Sequence, residues 1–522
     1  MPIKLPRHLF VKSILALMLV FMGFYLSTTC TKLPNDFPKT RSLAFPQPEQ
    51  TKVGGIFARK SEENNHLSGF AVIPTSREAF TNRVGLAEFA EKTIDVQYYI
   101  WNNDTVGNLL AERLIRAAER GVRVRFLVDD LNFQHRDSLA AGLSAHPNIE
   151  VRIFNPAMHR SIRALEMAAS FSRLNKRMHN KIMIMDNACA IIGGRNIADD
   201  YFGLHPKANK RDLDIAAAGP IVKEISNTFD EFWNSIGAVP IEALAPPTDA
   251  KAQLADSIAK VRHKLSSSNY PYPLDSDIAT LRSNIEKISN SMVWAHGEVL
   301  YDNINSMLHA DNAVTVNSRL LEVVNATEKE LLIESAYFIL RDKGLKVAQA
   351  LRAIGVNIRV LTNSLASNDV VAAQSGYAHK ADNLLKAGVT IYELRPDAAC
   401  VNADTSPLGK HASTSLHTKT LVIDRTFAFV GSYNLDPRSA DINSEIGILV
   451  ESPAFAQAIA TFLDQGVQPE NAYKLSLDRW NRILWKTTVD GQEKTWTHSP
   501  NTNFWQRLQA ETLGLLPIED QL

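Results

Sequence analysis

The sequence predicts an α/β protein made of two similar α/β/α sandwich domains that are related by a pseudo-twofold axis and share one site at their interface. Two observations predict this class. The chain repeats itself, because LHTKTLVIDRTFAFVGSYN (416–434) restates the pattern of MHNKIMIMDNACAIIGGRN (178–196). In each copy, short apolar runs alternate with amphipathic helical segments, which is typical of a largely parallel sheet with helices on both faces.

The repeat includes three further pairs of segments upstream of these two motifs. They are IDVQYYIW (94–101) with IESAYFIL (333–340), RGVRVRFLVDD (120–130) with IGVNIRVLTNS (354–364), and EVRIFNP (150–156) with TIYELRP (390–396). Between the first two strands of each copy lies a helical pattern that ends at a glycine, Gly121 or Gly355. Each copy therefore predicts three strands separated by helices, followed by the strand that carries the motif.

These patterns divide the chain into six regions. They are an export or anchor segment (1–30), an N-terminal linker region (31–80), a first domain (81–240), an inter-domain linker region (241–312), a second domain (313–465) and a tryptophan-rich extension (466–522). The extension ends in FWQRLQAETLGLLP (504–517), which either packs against the body or lies in a membrane surface with its aromatic side chains at headgroup depth.

The first thirty residues have the composition of an export signal. Basic residues precede an apolar run of 13 residues, ILALMLVFMGFYL (14–26), and STTC follows it. Cys30 closes a stretch that resembles a bacterial lipoprotein cleavage box, in which the cysteine is lipidated. An uncleaved membrane anchor and a buried core helix are the alternatives. Positive charge before the apolar run places the rest of the chain on the outer, periplasmic side of a bacterial inner membrane.

Composition argues against several classes of function. Lysine and arginine together equal aspartate and glutamate, 56 against 56, whereas a nucleic-acid binder usually carries a basic excess. The three cysteines cannot form a disulfide framework, and Cys189 is expected in the core. CxxC, HExxH and Walker-type motifs are absent from the sequence, so we expect neither a metal nor a nucleotide cofactor.

The spacing within the motifs predicts which side chains meet. Residues at positions i and i+2 of a strand point the same way, so His179 projects with Lys181, and His417 with Lys419. Asp186 and Asp424 follow the lysines at an odd offset of five, which predicts that they face away and set a turn or pair with a base. If the two copies pack about a pseudo-twofold axis, both histidine–lysine pairs converge on one point.

Residues after the motif strands complete the predicted site. Gly194 allows close approach of the backbone, and Asn196, Asn434 and Ser432 offer polar groups to a phosphate. Such a site needs no metal, since lysines and amides neutralise the phosphate oxygens. One imidazole can attack phosphorus while the other protonates the leaving oxygen. Asp214 and Glu445, each followed by isoleucine, are the candidates for orienting the two histidines.

At these residues the sequence resembles the phospholipase D superfamily, whose signature is HxKxxxxD followed by GGxN or GSxN. Both copies match, as HNKIMIMD with GGRN and HTKTLVID with GSYN. Further stretches resemble bacterial cardiolipin synthases of the C type over roughly residues 80–510: DVQYYIW, SRLNKRMHNK, GGRNIADDYFG, LTNSLASNDVVAAQSGYA and GSYNLDPRS. The resemblance implies that the motif residues form the catalytic set, Asp186 and Asp424 included. It assigns the nucleophile to His179 and the general acid to His417, an order that the symmetry of the repeat leaves open.

The resemblance implies a phosphatidyltransferase that makes cardiolipin from phosphatidylglycerol and a second phospholipid through a phosphohistidine, without a metal. The alternatives are a membrane-anchored phospholipase D hydrolase, a superfamily nuclease and a non-catalytic lipid-binding scaffold. The expected partners are phospholipids and the membrane surface of a bacterial cell envelope, with no nucleic acid, while an accessory subunit stays open. The basic stretch HRSIRALEMAASFSRLNKR (159–177) either holds anionic headgroups or is a solvated helix face.

Overall fold

The computed structural model describes residues 37–268, 278–304, 307, 314–409, 412–489, 491–514 and 521. The predicted export segment and Cys30 lie outside the described residues. Within those ranges, none of the helices has both the length and the apolar character needed to cross a bilayer.

The first half of the chain contains nine strands and eight helices among its described residues. The strands are β1 (Ser68–Ile73), β2 (Thr93–Tyr98), β3 (Arg123–Asp129), β4 (Ile149–Phe154), β5 (Ile182–Met185), β6 (Cys189–Gly193), β7 (Ala208–Arg211), β8 (Asp214–Ala218) and β9 (Ala238–Pro240). The helices are α1 (Lys52–Glu63), α2 (Ser76–Phe89), α3 (Thr105–Glu119), α4 (Asp137–Ser144), α5 (Arg163–Ala169), α6 (Phe171–Leu174), α7 (Ile221–Asn234) and α8 (Ile241–Leu244).

The rest of the chain continues the same alternation. Its strands are β10 (Val293–Tyr301), β11 (Glu330–Ser335), β12 (Asn357–Asn363), β13 (Thr390–Leu394), β14 (Ser413–Leu416), β15 (Lys419–Ile423), β16 (Phe427–Gly431), β17 (Ile446–Glu451), β18 (Ala472–Leu477), β19 (Ile483–Val489) and β20 (Gln492–Trp496). Its helices are α9 (Ala250–Ser266), α10 (Ile278–Ser291), α11 (Val316–Asn325), α12 (Asp342–Ala353), α13 (Val371–Lys386), α14 (Ala399–Ala403), α15 (Pro437–Asp441), α16 (Pro453–Gly466) and α17 (Phe504–Gly514).

One continuous sheet runs through both halves. Its order is β9-β4-β3-β2-β5-β6-β8-β1-β10-β17-β16-β15-β11-β12-β13-β18-β19-β20, so the second half repeats the first in reverse order about the central β1–β10 pair. The prediction of a largely parallel sheet is wrong. Only β2–β3–β4 and β11–β12–β13 are parallel among the described strands of this sheet, because the motif strands return through short hairpins that require antiparallel pairing.

Both halves contribute to one hydrophobic core, which makes them a single body. Ile184 and Ile192 of the first half belong to the same buried cluster as Val422 and Val430 of the second. Helices α7 and α16 contribute to this cluster through aromatic and aliphatic side chains such as Trp233. The two motif strands are therefore held in fixed positions relative to each other.

The linker regions are part of the sheet as well. Strand β1 lies within 31–80 and pairs with β8, and β10 lies within 241–312 and joins the sheets of the two halves. The tryptophan-rich extension adds β18, β19 and β20 to the edge of the second half. Trp485 Nε1 donates to Glu393 and Trp496 packs on Tyr473, whereas Trp505 is exposed.

The structure also corrects the register of the first repeat pair. Ile94 pairs with Met185, four residues after Lys181, and Leu331 pairs with Ile423, four residues after Lys419. Leu331, not Ile333, is therefore the structural equivalent of Ile94. The sequence comparison was shifted by two residues, a shift that keeps every side chain on its predicted face and therefore leaves the apolar pattern intact.

Candidate active site

Backbone hydrogen bonds between the halves fix the two motif histidines. The amide of His179 donates to the carbonyl of Ser444 over 3.0 Å, and the amide of His417 donates to the carbonyl of Arg211 over 2.7 Å. Strand β7 of the first half pairs in parallel with β14 of the second, which brings the chain around Arg211 to His417. Each histidine is thus attached to the opposite half of the molecule.

Each imidazole also receives its carboxylate from the opposite half. His179 Nδ1 lies 3.0 and 2.8 Å from the two carboxylate oxygens of Glu445, and His417 Nδ1 lies 2.7 Å from Asp212 Oδ2. A carboxylate on Nδ1 selects the tautomer that carries its proton there and leaves Nε2 as the free base, as in a catalytic triad. The exchange of partners means that neither half alone contains an oriented histidine.

The structure places Glu445 where the sequence predicted an orienting carboxylate, but the prediction for Asp214 is wrong. Asp214 pairs with the buried Arg83 at 2.9 Å and lies 3.4 Å from Arg195. Asp214 faces Gly193 across the β6–β8 ladder. In the second half, Gly447 holds the equivalent position opposite Gly431. The true equivalent of Glu445 is Asp212, two residues earlier, so the error is again an even shift in register.

Both motif lysines lie in the same pocket as the histidines. Lys181 Nζ donates to the carbonyl of His179, Lys419 Nζ donates to the carbonyl of His417, and both lysines are buried. Burial lowers the pKa of Lys181 well below its usual value and that of Lys419 to about 8. The backbone hydrogen bonds that join each histidine to the opposite half bring the two histidine–lysine pairs together, and each lysine acts electrostatically on both histidines.

The titration of the remaining groups follows from the same burial. Burial, and then the charges of the lysines, lowers the pKa of both His179 and His417 well below 6.5, so both rings are neutral near pH 7 in the free protein. Burial raises the pKa of Glu445 to about 7 and also raises that of Asp212. The site therefore holds neutral bases beside two carboxylates with raised pKa values, of which Glu445 ionises close to neutrality.

Asp186 and Asp424 lie away from this pocket and cap a turn in each half. The carboxylate of Asp186 accepts the backbone N–H groups of residues 91–93 over 2.8–2.9 Å, and that of Asp424 accepts those of residues 328–330 over 2.7–2.8 Å. Both aspartates have a positive φ, 53° and 50°, in the hairpin that reverses the motif strand. This geometry matches the structural interpretation of their odd offset.

The residues proposed to bind phosphate occupy different positions around the pocket. The Asn196 side chain accepts from the amide of Ile100 and donates to the Tyr201 hydroxyl, whereas the buried oxygen of Asn434 has no hydrogen-bond partner among the described residues. Ser432 Oγ donates to Glu445, and a Cβ on Gly194 would lie 2.1 Å from Asp212 Oδ1. Ser432 and Gly194 therefore place the carboxylates.

Sequence reasoning missed two tyrosines that pack edge-on against the catalytic rings. The ring centroid of Tyr99 is 5.0 Å from that of His179, and the ring centroid of Tyr201 is 4.9 Å from that of His417. The Tyr201 hydroxyl lies 3.5 Å from His417 Nε2. Tyr99 stands next to the second strand and Tyr201 five residues after Asn196, but nothing in the spacing alone distinguishes them from core aromatics.

The five cations of the basic stretch before the first motif are used inside the protein. They pair with carboxylates or a carbonyl: Arg160 and Arg163 with Asp130, Arg173 with Glu166, Arg177 with Asp129, and Lys176 with the Met307 carbonyl. The five cations are therefore not free to hold anionic headgroups, whereas other residues of the stretch, such as Leu165 and Phe171, do form an exposed helix face. The cations stabilise the loop that leads into the motif strand.

The described parts of the chain contain no cluster of three or more His, Cys, Asp or Glu side chains that could hold a metal ion.

Known proteins resemble this chain in sequence. A sequence-family model described as "Cardiolipin synthase, PLD-like domain" matches residues 86–233 and 320–466. The chain is 37% identical over 457 residues to cardiolipin synthase C of Escherichia coli (strain K12), covering 86% of this chain and 95% of that protein. It is 26% identical over 434 residues to the major cardiolipin synthase of Bacillus subtilis (strain 168), covering 80% and 75% of the two chains.

A solved structure has a similar fold. The crystal structure of phosphatidylserine synthase from Haemophilus influenzae Rd KW20 superimposes with a TM-score of 0.54 at 14% identity, covering 89% of this chain and 100% of that one. The family match covers both halves, and each matched segment contains one complete motif. The chain therefore belongs to the phospholipase D-like cardiolipin synthase family and is an enzyme of the phospholipase D type.

Proposed function

We propose that the protein is a phosphatidyltransferase that makes cardiolipin from phosphatidylglycerol and a second phospholipid, either phosphatidylethanolamine or another phosphatidylglycerol. The observation that carries this proposal is the pair of histidines held through Nδ1 by Glu445 and Asp212, each from the opposite half. Two oriented imidazoles in one lysine-lined pocket supply both a nucleophile and an acid–base group. The relatives named cardiolipin synthase support the choice of phospholipid.

In the first step, His179 Nε2 attacks the phosphorus of the donor phospholipid and forms an N–P bond. The P–O bond to the headgroup breaks, and His417 gives its Nε2 proton to the leaving oxygen. Lys181 and Lys419 stabilise the charge that develops on the phosphate oxygens. Glu445 keeps Nδ1–H of His179 hydrogen-bonded and stabilises the positive charge that the attacking ring acquires.

In the second step, a hydroxyl of phosphatidylglycerol attacks the phosphatidyl group on His179. His417 takes the proton of this hydroxyl, a new O–P bond forms and the N–P bond breaks, so the enzyme is regenerated. Water in place of the alcohol would give phosphatidic acid. Transfer and hydrolysis therefore differ only in whether the pocket admits water at this step.

The protonation states required for the first step arise when substrate binds. Burial and the neighbouring lysines keep both rings neutral in the free protein, because they lower the pKa of each histidine. A neutral His179 is the competent nucleophile. The phosphodiester anion favours a positive charge nearby, so binding of the lipid promotes protonation of His417 and supplies the general acid.

The test is to incubate the purified full chain with vesicles of labelled phosphatidylglycerol, with and without phosphatidylethanolamine, and to separate the lipids by thin-layer chromatography. We expect labelled cardiolipin, together with free glycerol or free ethanolamine that identifies the donor. Phosphatidic acid as the main product would favour the hydrolase instead. Cleavage of added DNA without any lipid product would favour a nuclease.

We further propose that residues 1–30 attach the enzyme to the bacterial cell envelope with the catalytic body on the periplasmic side. The support is the sequence pattern of residues 1–30, in which basic residues precede an apolar run of 13 residues (14–26). Labelled fatty acid incorporation that disappears in Cys30→Ser would support lipidation; retention in the membrane without label would support an anchor.

A further inference from the structure

A second polar cluster lies against His417 on the side away from Asp212. Tyr201 places its hydroxyl 3.5 Å from Nε2, the nitrogen that exchanges a proton with the alcohol. Lys210 Nζ lies 5.2 Å from the centre of the Tyr201 ring. Lys210 reaches this position because it belongs to β7 and pairs there with Ser415 of β14, two residues before His417. The side chain of Lys210 is only 8% exposed.

The partner of Lys210 is a carboxylate in the loop between β12 and α13. Asp369 accepts from Lys210 Nζ over 2.6 Å and from the Tyr337 hydroxyl over 2.8 Å. Burial alone would raise the pKa of Asp369, but Lys210 and the two hydrogen bonds outweigh burial and hold the pKa well below its usual value. Asp369 is therefore ionised at every physiological pH, and its charge acts on His417 and Lys419.

Asp369 differs from the other carboxylates of the site in its exposure. Glu445 and Asp212 are fully buried against their histidines, whereas the side chain of Asp369 is 42% exposed. A fixed anion repels phosphate oxygens, so Asp369 does not serve the reacting phosphate. Its free lone pairs suit a group that donates hydrogen bonds, namely a hydroxyl or an ammonium.

The proposed reaction determines which part of the substrate lies beside His417. The oxygen that leaves in the first step and the oxygen that enters in the second both exchange a proton with His417 Nε2, so the rest of each headgroup alcohol extends from that point. We propose that Asp369, positioned by Lys210 and Tyr337, binds the hydrogen-bond-donating end of this alcohol, the free hydroxyls of a glycerol headgroup or the ammonium of an ethanolamine headgroup. The assignment rests on the proposed transferase function and adds the subsite that selects the alcohol.

The experiment measures competition between two soluble alcohols of equal carbon number. Wild-type protein is given phosphatidylcholine vesicles with unlabelled phosphatidylglycerol as donor and a mixture of labelled glycerol and labelled 1-propanol as acceptors, so that label entering the lipid reports each transfer. Asp369→Asn keeps the shape and removes the charge. We expect its preference for glycerol over 1-propanol to fall about tenfold to a hundredfold, because only glycerol hydrogen-bonds to the carboxylate, whereas an effect of the lost charge on His417 changes both transfers alike.

Two further variants show whether the change in preference is specific to Asp369. Tyr337→Phe removes one hydrogen bond to Asp369 and should weaken the preference by a few-fold only. Asp397→Asn is the matched control, since Asp397 forms a partly exposed ion pair with Arg395 on the surface. It should leave the preference unchanged. Replacing the phosphatidylglycerol donor by phosphatidylethanolamine separates the two headgroups, because loss of charge should weaken ammonium binding more than hydroxyl binding.

Equal losses of transfer to glycerol and to 1-propanol in Asp369→Asn would overturn the proposal. Asp369 would then have only a structural role, as the partner of Lys210 from the other half. An unchanged preference in a folded variant would overturn the proposal as well. If wild-type protein transfers to no alcohol at all, the transferase function itself fails, and that outcome is distinct from both.

Discussion

The environments of His179 and His417 share one plan and differ in detail. His179 is bound by both oxygens of a glutamate, which in turn accepts from Ser432. His417 is bound by one oxygen of the shorter Asp212, whose carboxylate fits only because Gly194 has no side chain. The proposed roles differ in the same way: the ring with two carboxylate contacts is the proposed nucleophile, and the ring with one shorter contact is the proposed acid–base group.

The walls of the pocket differ more than its centre does. Both tyrosines that contact the histidines, Tyr99 and Tyr201, come from the first half. Their structural equivalents in the second half are the smaller Ala336 and Ser439, as the registers of the paired strands and motifs show. The two aromatic rings that contact the histidines therefore come from the first half, which makes the surroundings of the paired catalytic groups asymmetric.

The largest expected effect separates the two histidines. His179→Asn and His417→Asn should each lower turnover of natural lipids by about 10⁴-fold, because each removes a group that takes part directly in the reaction. A phosphatidyl ester of p-nitrophenol needs no acid for its leaving group. With this substrate, His417→Asn should release a burst of p-nitrophenol and then stall, whereas His179→Asn should release none. A burst from His179→Asn and none from His417→Asn would mean that His417 is the nucleophile and His179 the acid.

The carboxylates should show the same division at somewhat smaller cost. Glu445→Gln and Asp212→Asn should each lower kcat by about 10²–10⁴-fold, since each leaves its histidine free to adopt the wrong tautomer. With the p-nitrophenyl substrate, the first turnover of Asp212→Asn should recover much of its rate, because Asp212 serves the acid. The first turnover of Glu445→Gln should not recover.

Asp214 provides the control for this pair. Asp214→Asn leaves the buried Arg83 and Arg195 without their carboxylate, so we expect a loss of about 3–5 kcal/mol in the free energy of unfolding. Denaturant unfolding measures this loss. A stable Asp214→Asn variant with the activity defect expected of Asp212→Asn would contradict the assignment of Asp212.

The turn aspartates should affect stability and not chemistry. Asp186→Ala and Asp424→Ala each leave three backbone N–H groups without an acceptor, which should lower the free energy of unfolding by about 2–4 kcal/mol. Asp186 is fully buried and Asp424 is not, so the loss should be larger for Asp186. Thermal unfolding compares the two. A variant of normal stability without activity would show that the turn takes part in catalysis.

Much of this arrangement could be predicted from the sequence, because the doubled motif fixes the side of the strand on which His179, Lys181, His417 and Lys419 lie. The comparison of the two copies also identified Glu445, through the isoleucine that follows it. The period of two along a strand explains the errors at Asp214 and at Ile333. A shift of two residues preserves every inward and outward side chain, so the pattern contains no information that would reject it.

Other features depend on contacts that no local pattern encodes. Asp212 reaches His417 through the pairing of β7 with β14, and Glu445 reaches His179 through the bridge between Met178 and Ser444, so both contacts join residues 200 or more positions apart. The pairing of Arg160 and Arg163 with Asp130 likewise appears only when the loop folds back on the sheet. Composition identified these residues as a basic stretch, but the charge that reaches solvent depends on tertiary partners.

The smallest expected effect concerns the pH dependence of activity and the hydroxyl of Ser432, which contacts the carboxylate on the His179 side. Ser432 donates to Glu445 and lowers the pKa of that carboxyl, which burial raises to about 7. Ser432→Ala should raise this pKa further. Since Glu445 must be ionised to orient His179, the acid limb of the kcat/KM profile should move to higher pH by about one unit. Activity should fall about tenfold at pH 6.5 and little at pH 8.

The basic limb provides an internal reference for this shift. Loss of the proton from Lys419, whose pKa is about 8, should lower the rate at high pH equally in Ser432→Ala and wild type. Ser226→Ala is the matched control, because Ser226 is buried and donates over 2.7 Å to Asn187, a residue outside the pocket. That variant should leave both limbs in place. A rate loss in Ser432→Ala that is the same at every pH would mean that the hydroxyl acts on the substrate and not through Glu445.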